Sequence, residues 1–94
     1  MHVNSEVEVF EQLADILRNF DGQEYSGHID RDTLFFSDLG FASIDAVVLG
    51  EKLEERFGQR FPFNELLMEL QSEGVEDIAI GRLSAFIYRN VSSN

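Results

Sequence analysis

Hydrophobic residues recur at intervals of three and four near the start of the chain, which is the spacing of one face of a helix. Ser5 and Glu8 open this pattern as a capping box, in which a serine caps the helix and a glutamate follows three residues later. Gly22 follows the pattern, and glycine tolerates the left-handed turn that ends many helices. A first helix is therefore predicted over residues 5–19, with an inward stripe of Val7, Phe10, Leu13, Ala14 and Leu17.

A second apolar stripe predicts a helix from Ser43 or Ile44 to Phe57, which Gly58 would end. Gly50 lies within this helix, although glycine costs about 1 kcal/mol relative to alanine in such a position. We interpret it as a point at which a neighbouring helix approaches closely. The predicted inward positions are Ala46, Val47, Leu49, Gly50, Leu53 and Phe57.

The last third of the chain predicts a short helix and a terminal one. Pro62 opens the short helix, Asn64 is its candidate cap and Gly74 ends it. The apolar positions of the short helix are Leu66, Leu67 and Leu70. The terminal helix is predicted over residues 79–90, and residues 91–94 are expected to fray. Its stripe consists of Ile80, Leu83, Phe86 and Ile87.

Residues 20–42 form a long connection without helical periodicity, interrupted by glycine and serine. Several of its side chains are too apolar to be left in water, so we expect the loop to pack over the helices; they are Leu34, Phe35, Phe36 and Leu39. The pattern as a whole predicts an all-α fold: a small four-helix bundle with three main helices, one short helix and a long first loop. At this length we expect residues 1–94 to form a single domain and a monomer.

The composition excludes several classes of protein. Cysteine is absent, so disulfides, thiolate catalysis and cysteine metal sites are excluded. No apolar run approaches the length of a membrane span. The start of the chain, Met1–Glu6, lacks the basic and apolar regions of a signal peptide. We therefore expect a soluble cytoplasmic protein.

The charge is strongly negative, with 18 acidic residues against 7 basic ones and a formal net charge of -11. Repulsion from phosphates makes nucleic acid a poor partner, and anionic membrane surfaces are disfavoured for the same reason. Basic protein surfaces would be attracted at long range. The acidity is equally compatible with a role in solubility alone.

The residue types that carry catalysis or bind metals do not form a complete set. Asp30-Arg31-Asp32 resembles the start of a calcium loop, but Leu34 takes the next ligand position and no glycine follows where one is required. His2 and His28 are the only histidines, and neither lies at helical spacing from a second candidate ligand. His28 is expected to be an exposed loop residue. We therefore predict no metal site and no enzyme activity.

Ser43 lies where the long loop ends and the second helix begins, which puts its hydroxyl at the positive end of the helix dipole. A phosphate attached there would be stabilised by that dipole and by the free N–H groups of the first turn. On its own, a serine at this position is usually an N-cap. The surrounding residues favour a different interpretation.

The run Asp38–Val47 resembles the attachment motif of acyl carrier proteins and the related peptidyl carrier domains. The likeness continues through Leu53–Gly58 and Ile80–Ile87, and the predicted bundle is also the fold of that family. By this resemblance, a phosphopantetheinyl transferase would attach 4′-phosphopantetheine from coenzyme A to Ser43. The thiol of that arm would carry an acyl group as a thioester, and the protein would present it to partner enzymes without performing chemistry itself.

The resemblance also assigns roles around Ser43. On the cofactor side, Asp38 leads the motif, and the small Gly40 and Ala42 leave the hydroxyl open. On the partner side, Ile44 would enter an apolar pocket while Asp45 pairs with a basic residue. The remaining partner residues would be Val48, Glu51 and Glu55. They would face Arg and Lys patches on acyl-loading and acyl-processing enzymes. The alternative for the two glutamates is a solvated helix face.

Two departures from the family pattern favour a specialised carrier over the housekeeping fatty-acid one. Ala42 replaces a common aspartate, which weakens the expected transferase contact, and Val48 replaces a frequent glutamate. Phe41 follows Gly40 where peptidyl carriers often have a second glycine, which favours acyl cargo from fatty-acid, polyketide or other specialised biosynthesis. The alternatives are an aminoacyl or peptidyl carrier and an unmodified, carrier-like interaction module.

Overall fold

A computed structural model describes residues 5–20 and 22–92, and over these residues it contains four helices and two very short strands. This arrangement confirms the predicted all-α bundle with one shorter helix and a long first connection. The helices are α1 (Glu6–Arg18), α2 (Ser43–Phe57), α3 (Phe63–Ser72) and α4 (Ile80–Ser92), and the strands are β1 (Asn19–Phe20) and β2 (Gln23–Glu24).

Helix α1 begins as predicted but buries a face rotated from the predicted one. The Ser5 Oγ accepts a hydrogen bond from the Glu8 N–H at 3.3 Å, which caps the helix. Val7, predicted to point inward, is 65% exposed. The buried residues of α1 are Val9, Leu13, Ile16 and Leu17. This second stripe has the same helical period as the predicted one, and it continues to the buried Phe20. It is buried because it is the face of α1 that packs against α4.

Helix α2 buries Leu49, Leu53 and Phe57 as predicted. Val47, also predicted to point inward, is 59% exposed because it lies at the edge of that face. Gly58 ends the helix in the left-handed conformation, with φ 70°, and its N–H donates to the carbonyl of Glu54. The boundaries and the main inward face of this helix therefore follow from the sequence pattern.

Helix α3 differs from its prediction at its start. Pro62 occupies the N-cap position and Asn64 is the second helical residue, so the prediction of an Asn64 cap is wrong. Leu66 and Leu70 are buried, whereas Leu67 is 52% exposed. The helix is ten residues long, which agrees with the predicted short element.

Helix α4 buries all four residues of the predicted stripe, Ile80, Leu83, Phe86 and Ile87. It continues to Ser92, so residues 91 and 92 are helical rather than frayed, and residues 93 and 94 lie outside the described residues. Arg82 ties α4 to the end of α3, with Nη2 2.6 Å from Glu73 Oε2 and 3.4 Å from Glu69 Oε2. The hydrogen bonds with Glu73 raise the pKa of the Arg82 guanidinium above its ordinary value and lower the pKa of Glu73.

The long connection packs over the helices, as its apolar content predicted. Phe35 is almost fully buried, and its N–H donates to the carbonyl of Ile78 at 2.9 Å. Leu34 forms an antiparallel bridge with Ala79, at the entry to α4. The β1–β2 hairpin was not predicted, because strands of two residues carry no recognisable periodicity.

Within the described ranges, no helix has both the length and the apolar character needed to cross a membrane.

Candidate functional site

Ser43 is the first residue of α2, and its side chain is exposed. The N-cap is Ala42, which has an extended backbone and no side chain that could accept a hydrogen bond. The simple N-cap interpretation of Ser43 is therefore wrong, because the helix starts at Ser43 itself, one residue earlier than a serine cap would require. Its hydroxyl takes no part in capping and remains accessible at the positive end of the helix.

Asp45 caps the start of α2 in place of the residue before the helix. One oxygen of its carboxylate, Oδ2, accepts from the Ala42 N–H at 2.8 Å, and the Asp45 N–H donates to the Ala42 carbonyl at 3.0 Å. The carboxylate lies in the first turn, where a negative charge interacts favourably with the helix dipole. Asp45 therefore stabilises the turn that carries Ser43, in addition to the partner contact expected of it.

Asp38 and Gly40 shape the loop that leads to Ser43. Asp38 Oδ2 accepts from the Leu34 N–H at 2.8 Å, and the Asp38 N–H donates to the Leu34 carbonyl at 3.0 Å. Gly40 has φ 75°, a conformation that side-chain-bearing residues rarely adopt. These interactions lie within the loop itself, so both residues act on Ser43 through the path of the backbone.

Asp77 is a residue of this region that the sequence analysis missed. It lies just before α4, yet its carboxylate accepts hydrogen bonds from Phe36 and Ser37 in the loop before Ser43. Partial burial raises the pKa of Asp77, but the hydrogen bonds from the Ser37 hydroxyl and from three backbone N–H groups outweigh this and hold the pKa below its ordinary value. No sequence signal marks it, because its partners lie forty residues away along the chain.

The expected partner face on α2 is only partly exposed. Ile44 is 66% exposed, and the side chains of Glu51 and Glu55 are also exposed. Val48 is partly buried and packs against the core, whereas its neighbour Val47 is the more exposed valine. The solvent-facing side of α2 thus combines apolar and acidic side chains.

An apolar cavity of about 300 Å³ lies between α2 and α3, and the sequence analysis did not foresee it. Its lining from α2 includes Ala46, Val47 and Gly50, and its lining from α3 includes Phe63, Leu66 and Leu67. Ala46 and Val47 follow Ser43 by three and four residues, which is about 4.5–6 Å along the helix axis at 1.5 Å per residue. The cavity therefore begins about one helical turn along α2 from Ser43.

The structure gives no support for a metal site. Among the residues it describes, no group of three or more His, Asp or Glu side chains could hold a metal ion. His28 is exposed, as expected, with Nε2 3.3 Å from Asp30 Oδ2. Asp30 accepts from the Asp32 N–H at 2.8 Å, so the Asp30–Asp32 segment forms a local turn. His2 lies outside the described residues.

Comparison with known protein families gives one result, which agrees with the resemblance seen in the sequence. A sequence model of the family described as phosphopantetheine attachment site matches residues 8–79. The match includes the whole motif around Ser43 and the helices α2 and α3 that line the cavity. Comparisons with curated proteins and with solved structures return no significant match.

Proposed function

We infer the function of this chain from one premise: it belongs to the phosphopantetheine attachment site family, whose sequence model covers most of its length. Domains of this family carry covalently bound 4′-phosphopantetheine, and they are carriers rather than catalysts. They interact with phosphopantetheinyl transferases and with biosynthetic enzymes. The chain is therefore a carrier protein and not an enzyme.

We propose that Ser43 is the attachment residue. The support is its exposed hydroxyl at the first residue of α2, flanked by the small Ala42. In the transfer, a bond forms between Ser43 Oγ and the phosphorus of the phosphopantetheine group, while the bond from that phosphorus to the adenosine bisphosphate leaving group of coenzyme A breaks. The hydroxyl proton passes to a base of the transferase. The resulting phosphodiester would lie at a helix N-terminus, which favours its charge.

We propose further that the cargo is an acyl group, and the observation that carries this is the apolar cavity next to Ser43. Each CH₂ group transferred from water into such a site gains about 0.8 kcal/mol. An aminoacyl cargo carries an ammonium group, and burying that charge is costly unless it is paired. Glu51 and Glu54 contribute carboxylates to the lining, whose surface is otherwise mostly apolar. The cavity therefore favours an acyl chain, from fatty-acid, polyketide or other specialised biosynthesis, over an aminoacyl or peptidyl group.

The proposed partners are a phosphopantetheinyl transferase and acyl-loading and acyl-processing enzymes with basic docking surfaces. The exposed carboxylates of Glu51 and Glu55 support this, since charge complementarity accelerates association. Exposed Ile44 would supply an apolar contact with the partner enzyme. We expect a cytoplasmic monomer in which residues 1–94 form one carrier domain and which does not bind nucleic acid.

The test is transfer of phosphopantetheine to the purified apo protein. We expect incubation with coenzyme A and a broad-specificity transferase to add the mass of one phosphopantetheinyl group, and Ser43→Ala to abolish the gain. Ser26→Ala is the matched control, because Ser26 is an exposed serine in the connection that precedes α2, and this variant should leave the gain intact. No mass gain with several transferases would favour the alternative of an unmodified interaction module, which the exposed Ile44 and Val47 would also suit.

A further inference from the structure

We propose that Asp77 is a positioning residue for the modification of Ser43: its carboxylate holds the loop through which Ser43 is presented to the transferase. The inference rests on the function proposed above, and it concerns a residue outside the attachment motif. It is carried by the set of hydrogen bonds that converge on the two oxygens of this one side chain.

Each of the two carboxylate oxygens of Asp77 accepts two hydrogen bonds. Oδ1 accepts from the Phe36 N–H at 2.9 Å and from its own neighbour, the Ile78 N–H, at 2.8 Å. Oδ2 accepts from the Ser37 N–H at 3.0 Å and from the Ser37 hydroxyl at 2.7 Å. Hydrogen bonds to an ionised acceptor are about twice as strong as those between neutral groups. Asp77 thus joins the loop to the residues that open α4.

Backbone hydrogen bonds around Asp77 join the same two segments. The Phe35 N–H donates to the Ile78 carbonyl, and the Ile80 N–H donates to the Thr33 carbonyl, both at 2.9 Å. Ile80 is fully buried at the start of α4, so this side of the junction is anchored in the core. Asp77 adds side-chain hydrogen bonds across this junction, to Phe36 and Ser37.

Phe36, which Asp77 holds, is hydrogen-bonded in turn to the residues that lead into Ser43. The Phe36 carbonyl accepts from the Gly40 N–H at 3.1 Å. Gly40, in its left-handed conformation, turns the chain towards α2, which begins three residues later. The path from the Asp77 carboxylate to Ser43 therefore runs through Phe36 and Gly40.

A carboxylate is suited to this position in a way that its amide is not. All four groups that meet the Asp77 side chain are N–H or O–H groups acting as donors. An asparagine would keep one acceptor oxygen, but its NH₂ group would face donors across the other pair of contacts. Asp77→Asn should therefore release one side of the junction while leaving the size of the side chain nearly unchanged.

The test compares Asp77→Asn with Glu76→Gln, which removes a negative charge from the adjacent, exposed side chain. Steady-state kinetics of the transferase are measured with each variant as the acceptor, and hydrogen exchange is measured for backbone amides in residues 36–42. We expect Asp77→Asn to raise KM about tenfold with a smaller change in kcat, because only a fraction of the molecules then presents the loop in its competent form. Exchange should accelerate in residues 36–42 but not in α1. Glu76→Gln should match the wild type in both measurements.

A wild-type KM for Asp77→Asn would overturn the proposal, and so would exchange that accelerates equally in α1 and in the loop. If Asp77→Asn loses its helical circular dichroism, Ser37→Ala takes its place, since it removes only the hydroxyl bond to Oδ2. A smaller rise in KM would then support the proposal, and an unchanged KM would refute it. If no transferase modifies even the wild type, the proposed function fails, and hydrogen exchange alone decides whether Asp77 orders the loop.

Discussion

The ring of Phe63, the first residue of α3, lies directly against Gly50 in the middle of α2. A Cβ atom added at Gly50 would stand 3.3 Å from Cε2 of that ring, closer than ordinary packing contacts. The close approach predicted at this glycine therefore exists, and an aromatic side chain of the neighbouring helix makes it. Both residues line the apolar cavity, so the size of residue 50 controls how much of the cavity stays open.

Substitution Gly50→Leu should prevent the cavity from stabilising an acyl chain. In the wild type, we expect the melting temperature of the loaded protein to rise with acyl chain length, because each buried CH₂ contributes about 0.8 kcal/mol. Gly50→Leu fills that space and should abolish the dependence on chain length, at a cost to the unloaded protein of about 1–3 kcal/mol from overpacking. Thermal denaturation of a series of acyl-loaded proteins measures both effects.

The control for that series is Glu55→Leu, which adds a leucine to an exposed position of the same helix. It should retain the dependence on chain length. Equal melting temperatures for short and long acyl chains on the wild type would contradict the proposed acyl cargo, and stabilisation by an aminoacyl cargo of similar length would favour the peptidyl-carrier alternative.

Substitution Leu53→Ala should lower the free energy of unfolding by about 2–5 kcal/mol, the range for truncating a fully buried leucine. Leu53 has no exposed surface, whereas Val47 in the same helix is 59% exposed. Val47→Ala should therefore cost about 0.5 kcal/mol or less, as is usual for surface positions. Urea denaturation of the two variants measures the difference, and similar losses for both would mean that the buried face of α2 is wrongly placed.

Substitution Asp45→Ala should destabilise α2 and slow the modification of Ser43. Removing a helix cap costs about 0.5–2 kcal/mol, and the Asp45 carboxylate accepts the Ala42 N–H next to Ser43. The matched control is Glu11→Ala, which removes an exposed acidic side chain from α1. Urea denaturation and transferase assays should show lower stability and slower modification for Asp45→Ala than for Glu11→Ala. Equal rates of modification would contradict a role of Asp45 in the reaction with the transferase.

Acid should destabilise the protein partly through Asp77. Its pKa is below the ordinary value in the folded state, and that ordinary value is about 3.9 in an unfolded chain. The stabilisation is therefore fully present above about pH 5, and it is lost as the pH falls through the folded-state pKa, because the unfolded chain then binds the proton more readily. Asp77→Asn should show a shallower loss of stability between pH 5 and 3 than the wild type. Urea midpoints at several pH values measure this, and an unchanged slope would contradict it.

The sequence predicted the helices well where a single apolar stripe was available. In α4, Ile80 and Ile87 have no competing stripe, and both are buried. In α1, two stripes of the same period overlap, and periodicity alone did not distinguish Val7 from Val9; contact with α4 decides between them. The cap of α3 was misassigned because Asn64 is a favoured cap residue, whereas the chain already turns into the helix at Pro62.

The candidate site was predictable only in its local part. The motif located Ser43, Asp38 and Gly40 because they are neighbours in the chain. Asp77 was missed because its loop partners are distant in sequence. The cavity was missed because its volume depends on how Phe63 packs against α2, which no residue pattern encodes.

The start of α2 is secured by Asp45, two residues beyond Ser43, and not by Ser43 itself. Esterification at position 43 would therefore take away none of the contacts that close this end of the helix. A protein of this kind could be charged and discharged over many rounds without losing the hydrogen bonds that hold this first turn.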